Sequence, residues 1–444
     1  KGRLGPGQMI GVDLEEGALY HDAELKESLA GAYPYAEWGK NLTLLDSLIG
    51  TGADEPVEYT GDALRQRQVA AGYTMEEIEL LLQPMIDDGK EATGSMGDDT
   101  PLAVLSEQYR GMHHFFRQSF SQVTNPPIDS LREYSVMSLK TRLGNLGNVL
   151  EQNESQMRLL QLESPVMSNG EFAAMRDYLG DKAVEIDCTF SPDRGELALR
   201  RAMYRIQRQA EDAVRGGAVH LILTDKAVGP DRAAIPMILA IGGVHSHLVG
   251  ESLRTFTSLN VQTAECIDVH YFAVLIGVGA TTVNAYLAQE TIADRHRRGL
   301  FGDRDLNECV RRYKSAVDQG LLKIMSKMGI SIIGSYRGAY KFEAVGLSRW
   351  LVAAYFPGMA SRISGIGLSG IRLKLLELHK RAFGSDALLL PVIGFYRYRS
   401  NGETHAFQGP QIHMLQSAVA NDSYAQFRKY GEAIRQSLPV NLRD

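Results

Sequence analysis

The sequence has 444 residues, with 47 basic against 53 acidic side chains and a formal net charge of −6 with histidine neutral, a balance without a nucleic-acid or membrane-surface signature. Apolar residues at 44% and charged residues at 23% exclude a disordered or fibrous chain and suffice for a large core in two or three domains. Its three cysteines, Cys188, Cys266 and Cys309, are spaced for neither a disulfide framework nor a CxxC metal pair and point to a reducing cytoplasm.

In chain order, residues 1–45 mix Gly, Pro, Asp and aromatics in short pieces: a strand over Gln8–Val12, a turn at Glu15–Gly17 and a short helix over Asp22–Ala30. A helix starts at Thr74, where Glu77 completes a capping box, carries Ile78, Leu81, Leu82 and Met85 on one stripe, and stops at Gly89. Thr100 with Pro101 is expected to open a second helix bearing Leu105, Tyr109, Met112, Phe116 and Phe120, which Asn125-Pro126-Pro127 would end. From about residue 184, short apolar strands alternate with amphipathic helices. Strands are expected at Ala183–Cys188, Val219–Thr224, Leu259–Thr263, Thr281–Asn284 and Ile330–Gly334. Helices are expected at Glu196–Arg215, Ile235–Leu248, Val269–Gly277 and Leu306–Met328, the last interrupted near Gly320. Such alternation implies an α/β fold of βα repeats around a parallel sheet. With no phosphate-binding turn in the first unit, an incomplete TIM-barrel-like domain is preferred over a doubly wound layer. A further apolar strand or bulge over Ala387–Gly394, the basic and aromatic run Phe395–Arg399 and a last helix over Tyr424–Ser437 close the chain. The longest uninterrupted apolar stretch, Ala233–Val244, is about half the roughly 20 residues a bilayer span needs, so a soluble protein is expected. With Lys1 first and Leu438–Asp444 ending without a cap, the sequence reads as a piece of something longer.

Gly365, Gly367 and Gly370 spell G-x-G-x-x-G before a helix over Ile371–Lys380, but Leu390-Pro391-Val392 stands where a dinucleotide site wants an acidic residue. A glycine-permitted loop is the preferred reading; an autonomous barrel enzyme holding a phosphate-bearing ligand there, or a pure interaction module, is the alternative. His245 and His247, and His113-His114, have no third partner in sequence for a zinc site. Asp98-Asp99 suits a turn before a helix, and Arg295, His296, Arg297 and Arg298 a solvated helix end. No G-x-S-x-G elbow, P-loop or HExxH occurs, and no residue is assigned a catalytic, cofactor-binding or metal-binding role.

Longer strings carry more. Gly94-Ser-Met-Gly-Asp-Asp-Thr-Pro-Leu-Ala-Val-Leu-Ser106, Phe120-Ser-Gln-Val-Thr-Asn-Pro-Pro-Ile-Asp-Ser-Leu-Arg-Glu133, Val136-Met-Ser-Leu139, Gly320-Leu-Leu-Lys-Ile-Met-Ser-Lys-Met-Gly-Ile-Ser331, Ser335-Tyr-Arg-Gly-Ala339 and Ser361-Arg-Ile-Ser-Gly-Ile-Gly-Leu368 strongly resemble the central region of the glutamate synthase large chain. The resemblance runs in order from Arg3-Leu-Gly-Pro-Gly-Gln-Met-Ile10, similar to the exit from that family's glutaminase domain, to Asn401-Gly-Glu-Thr-His-Ala-Phe407, similar to the lead-in to its flavin barrel. It implies a connector over 1–45, a central domain over 46–383 related to the flavin barrel but without flavin, and a truncated lead-in over 384–444. It further implies a parent enzyme that makes L-glutamate from glutamine and 2-oxoglutarate by reductive amination, in bacterial cytoplasm or plastid stroma. FMN and a 3Fe-4S cluster would be bound outside this segment, and the reductant would come through an NADPH-dependent small subunit or ferredoxin. Neighbouring glutaminase and FMN-binding domains of the same chain are the implied partners, with no nucleic acid and no membrane. Ammonia released at one site and used at another must be walled off from water, where it would be protonated and lost. Thr124, Asn125, Pro126 and Pro127 are the tunnel-lining candidates, because prolines fix the backbone; Met137 and Ser138 are further candidates.

Overall fold

The computed structural model describes residues 2–50, 55–94, 97–120, 132–384 and 388–442. The βα alternation is present. Strands β1 (Ala183–Asp187), β2 (His220–Thr224), β3 (Ser258–Gln262) and β4 (Thr282–Asn284) form one parallel sheet in which each strand lies beside its predecessor. They are joined by helices α1 (Ala198–Arg215), α2 (Met237–Gly250) and α3 (Val269–Gly277), and helices α4 (Tyr286–Arg297) and α5 (Leu306–Met328) follow. β5 (Phe342–Leu347), α6 (Arg349–Tyr355), β6 (Ala360–Ile366) and α7 (Leu368–Phe383) add two more βα units. These belong to a separate sheet, where β5 pairs parallel with β6 and antiparallel with Phe116–Gln118.

The two faces of the main sheet differ, because side chains alternate along each strand. Leu221, Leu223, Leu259, Val261 and Val283 point one way, fully buried in the large core that takes in α1, α2 and α3. The register places His220 beside Ser258, Asn260 beside Thr282, and Thr224, Gln262 and Asn284 in one row on the other face. There polar side chains bond across the strands. His220 Nδ1 and Ser258 Oγ lie 2.7 Å apart, Thr282 Oγ1 donates to Asn260 Oδ1 at 2.9 Å, and Gln262 Nε2 donates to Asn284 Oδ1 at 3.3 Å. Every rung satisfies a group that would otherwise be buried unpaired. A second core covers this face: Ile222 packs with Leu160, Leu162, Phe172 and Met175, from the small sheet Thr43–Leu44, Leu160–Leu162, Thr141–Leu143 and the helix Asn169–Leu179.

No closed barrel is formed among the described residues. The outer edge of β4 is taken by the segment before that helix, with Val283 N donating to Pro165 O at 2.8 Å and Met167 N to Val283 O at 3.0 Å, while the small sheet fills the concave side where further strands would curl.

His220 yields a pH prediction. Burial lowers its imidazole to about 4, so the folded state holds it neutral while the unfolded chain protonates near 6.5. Stability from this group is complete above pH 6.5 and is lost as pH falls towards 4, by up to about 3 kcal/mol. Thermal unfolding across that window should decline less steeply in His220→Asn than in the parent; identical slopes would refute it.

Four sequence expectations are corrected. The helix from Thr100 does not form: Asp98 Oδ1 accepts from Thr100 N at 2.9 Å and from its hydroxyl at 2.5 Å, making a local turn, and Met112–Phe115 is a 3₁₀ turn leading into the strand Phe116–Gln118. Ile330–Gly334 is not a strand; Ser138 and Ile332 make one parallel bridge, and a short helix, Ile333–Tyr336, begins at once. Residues 388–394 form no strand. Helix α5 is continuous through Gly320, where a Cβ would lie 2.5 Å from Val269 Cγ1, so the glycine serves close helix approach. Gly320→Ala should cost about 1–3 kcal/mol, and Val269→Ala should recover part of it in a denaturant melt.

Candidate functional site

An open groove of about 2060 Å³ lies between α5 and the segments 137–140 and 163–171. Met137 and Ser138 both line it. Ser138 is fixed by its backbone, N donating to Ser331 O at 2.8 Å and O accepting from Ile333 N at 3.0 Å, and its Oγ accepts from Lys140 N at 3.2 Å. Met137 is buried in the main core. Thr124, Asn125, Pro126 and Pro127 lie outside the described residues. The facing wall is polar: Ser164 Oγ donates to Asp318 Oδ1 at 2.5 Å, Lys314 pairs with Glu171, and Lys323 pairs with Glu91. Burial pushes the Asp318 carboxyl up to about 7 against the attraction of Lys314.

The carboxyl ends of the parallel strands are where a βα barrel places its chemistry. Two carboxylates stand there, Asp225 after β2 and Glu265 after β3. Asp225 accepts from Thr263 Oγ1 at 2.7 Å and Ala264 N at 2.9 Å, and Glu265 accepts from Met237 N at 3.0 Å and from the Tyr271 hydroxyl. Burial raises both carboxyls, Glu265 to about 7. The space above Asp225 is only about 20 Å³, because the helix Gly61–Ala70 and α7 close it. Arg67 stacks on Tyr59 with its guanidinium carbon 4.0 Å from the ring centroid and donates to Lys226 O at 3.1 Å, and His379 Nε2 lies 2.8 Å from Gly229 O. That space is on the order of one water.

The glycine motif has the preceding strand that the sequence did not show, since β6 runs straight into α7. Two of its glycines serve packing: a Cβ at Gly365 would lie 2.2 Å from Gly346 O, and one at Gly370 2.4 Å from Ile366 Cγ1. The cysteines do not fit an iron–sulfur cluster, being buried on separate elements after β1, after β3 and within α5.

His247 does find partners that sequence distance concealed. Its Nε2 lies 2.8 Å from Glu211 Oε2, and Glu251 completes a group whose ligand atoms lie within 4.8 Å of one another. Arg215 already bridges Glu211 and Glu251, each at 2.9 Å, and Arg208 takes Glu211 Oε2 at 2.8 Å, so the group is an ion-pair network. Arg254 Nε donates to His245 Nδ1 at 3.0 Å. Asp99 Oδ1 sits 3.0 Å from His405 Nδ1, tying the carboxy-terminal segment down. Arg295 donates twice to Gln83 Oε1, at 3.0 and 2.9 Å, and Arg297 to Asp294 at 3.1 Å. No helix among the described residues is long and apolar enough to cross a membrane.

The profile described as glutamate synthase central domain matches residues 66–348, and that of class-II glutamine amidotransferases matches residues 1–38. The large chain of NADPH glutamate synthase from Azospirillum brasilense is 64% identical over 446 residues, covering all of this chain and 29% of the relative. The ferredoxin-dependent glutamate synthase of Spinacia oleracea chloroplasts is 37% identical over 457 residues, covering all of this chain and 28% of the relative. A double mutant of flavocytochrome b2 with pyruvate bound overlays 78% of this chain and 93% of its own at 10% identity, with a TM-score of 0.27, which carries no structural argument. The chain thus spans less than a third of the length of the curated relatives it matches. With the central-domain profile covering well over half of its residues, the chain belongs to the glutamate synthase central-domain family.

Proposed function

We propose that this chain is the scaffold between the two active sites of a glutamate synthase and lines part of the path that ammonia takes between them. The observation that carries the reading is 64% identity, end to end, with a glutamate synthase large chain, together with an amidotransferase match confined to residues 1–38. In this reading residues 1–45 leave a glutaminase domain, 46–383 form the central domain, and 384–444 lead into an FMN-binding domain. The whole enzyme makes glutamate from glutamine and 2-oxoglutarate by reductive amination in bacterial cytoplasm or plastid stroma. FMN and an iron–sulfur cluster held by other domains supply hydride and electrons, drawn from an NADPH-dependent subunit or from ferredoxin. The six βα units are an opened relative of a barrel, their mouth shut by Arg67 and His379. Exposed Val419, Tyr424 and Phe427 on the helical hairpin α8 (Gly409–Ala420) and α9 (Tyr424–Arg435) support a covering domain.

The chain's own contribution is exclusion of water and fixed geometry. The groove bearing Met137 and Ser138 is the section of the path assigned to it, its backbone clamped by the Ser138 bridge. In the full-length polypeptide, Ser138→Trp should lower glutamine-dependent glutamate formation by at least about tenfold and leave synthesis from added ammonium unchanged. Equal loss in both assays, or loss in neither, would remove Ser138 and its groove from the path.

A further inference from the structure

A second small cavity, about 30 Å³, lies on the far side of Glu265 from Asp225, walled by Tyr109, Arg110, His113, Tyr271 and Glu77. Its polar groups are only partly matched by protein. Glu77 Oε2 is used by Thr74, accepting from N at 2.8 Å and Oγ1 at 2.9 Å. Arg110 spends Nη1 on Thr100 Oγ1 at 2.8 Å and stacks over Phe395 with its guanidinium carbon 4.2 Å from the ring centroid. Three buried atoms on residues of the wall have no partner among the described residues: Tyr109 Oη, Arg110 Nε and His113 Nδ1. His113 is 92% buried, at 8% exposure, and stacks on Tyr271 with ring centroids 4.6 Å apart. The space at its Nδ1 edge is kept by backbone. Gly111 has φ +85°, and a Cβ there would press on His113 Nδ1 and Cε1 at 3.0 Å.

We propose that this cavity is a built site for one or two water-sized, neutral, hydrogen-bonding molecules, held between Tyr109 Oη, Arg110 Nε and His113 Nδ1 beside Glu265. Volume sets the size, since about 30 Å³ is room for on the order of two waters. Charge sets the class. An anion would face Glu77 and Glu265, and a cation would face Arg110, whereas a neutral molecule that both donates and accepts meets each. Arg110 Nε gives a donor, neutral His113 offers its second nitrogen as acceptor or donor according to tautomer, and the tyrosine hydroxyl does either. Leaving three buried polar atoms unmatched would cost stability at each, and a bound molecule removes that cost. Water and ammonia share this chemistry, and the site stands whether or not the groove conducts ammonia.

The test is a high-resolution crystal structure of the 444-residue chain, repeated under xenon pressure and with Tyr109→Phe. Ordered density within hydrogen-bond reach of all three atoms, with xenon excluded, is expected, and the peak should weaken or move in Tyr109→Phe. An empty cavity that takes xenon, or a peak unaltered in the variant, overturns the proposal. Titrating the ring nitrogens of His113 by nitrogen NMR at alkaline pH with ammonium chloride, against sodium chloride, separates the sources. A saturable shift with ammonium alone identifies ammonia as an exchangeable occupant, and no response identifies water; either agrees with the proposed class.

Discussion

Gly242→Ala should unfold the protein at markedly lower denaturant, with a loss of at least about 3 kcal/mol. Helix α2 is buried over most of its length, and a Cβ at Gly242 would stand 2.1 Å from Phe356 Cε1, 2.6 Å from Cδ1 and 3.0 Å from Tyr355 O. A ring in a filled core cannot step aside, since interiors are packed like crystals, and the carbonyl belongs to helix α6. Phe356→Leu in the same chain should return part of the loss by vacating the ring. If Gly242→Ala melts with the parent, α2 and α6 are not packed as described. The neighbouring Gly243, where a Cβ would lie 2.6 Å from Met203 Cε, should be more forgiving, because that methyl ends a flexible side chain.

The second large effect is expected at Asp225. Asp225→Ala strands a buried hydroxyl and a buried amide, those of Thr263 and Ala264, whose bonds to the carboxylate are 2.7 and 2.9 Å, and should cost about 3–5 kcal/mol. Asp225→Asn keeps an acceptor for the amide and should cost much less at neutral pH. The pH dependence separates the two roles of the residue. Burial raises the folded carboxyl above its ordinary value despite those bonds, so between the unfolded pKa near 3.9 and the folded one the native state holds the extra proton. Its contribution to stability is therefore greatest at low pH and falls as pH rises through that window. The asparagine variant should lose this slope; a slope equal to the parent's would show that the carboxyl ionises freely in the fold.

The run of βα units was legible because short strands alternate with longer helices that are either amphipathic, as α1 is, or apolar throughout, as α3 is; Val269–Gly277 coincides in sequence and structure. Strands β5 and β6 were not, since Gly346 and Gly365 interrupt their pattern for a reason visible only in space, the near contact of one glycine with the backbone of the other. The capping box at Thr74 was correct in both hydrogen bonds, yet Glu77–Leu82 is a π-helix, a change of winding that side-chain periodicity does not encode. At the candidate sites, Met137 and Ser138 came from the family resemblance rather than from spacing. Asp225 and Glu265 carry no motif, and it is strand register that brings them to one end of the sheet. Glu211 and His247 meet only because α1 and α2 lie side by side. The signal that could have found the carboxyl pair is positional, an acid within three residues of the end of a strand in two successive units.

The seam between β4 and Pro165–Met167 bears on how the chain reaches its fold. Strands β1 to β4 each pair with the next strand in sequence across a single crossover helix, so their pairings close shorter loops than the seam does. The seam instead joins residues more than a hundred positions apart, and its amino-terminal half is made first but has nothing to pair with until β4 exists. During synthesis the segment 141–179 must therefore wait, its apolar Leu160, Leu162 and Phe172 only partly covered by one another and by Leu45, until about a hundred further residues have emerged and β4 is in place. Pulsed hydrogen exchange should show amides of β2 and β3 protected before those of Leu160–Leu162, and the interval between the two is when this protein is most exposed to aggregation.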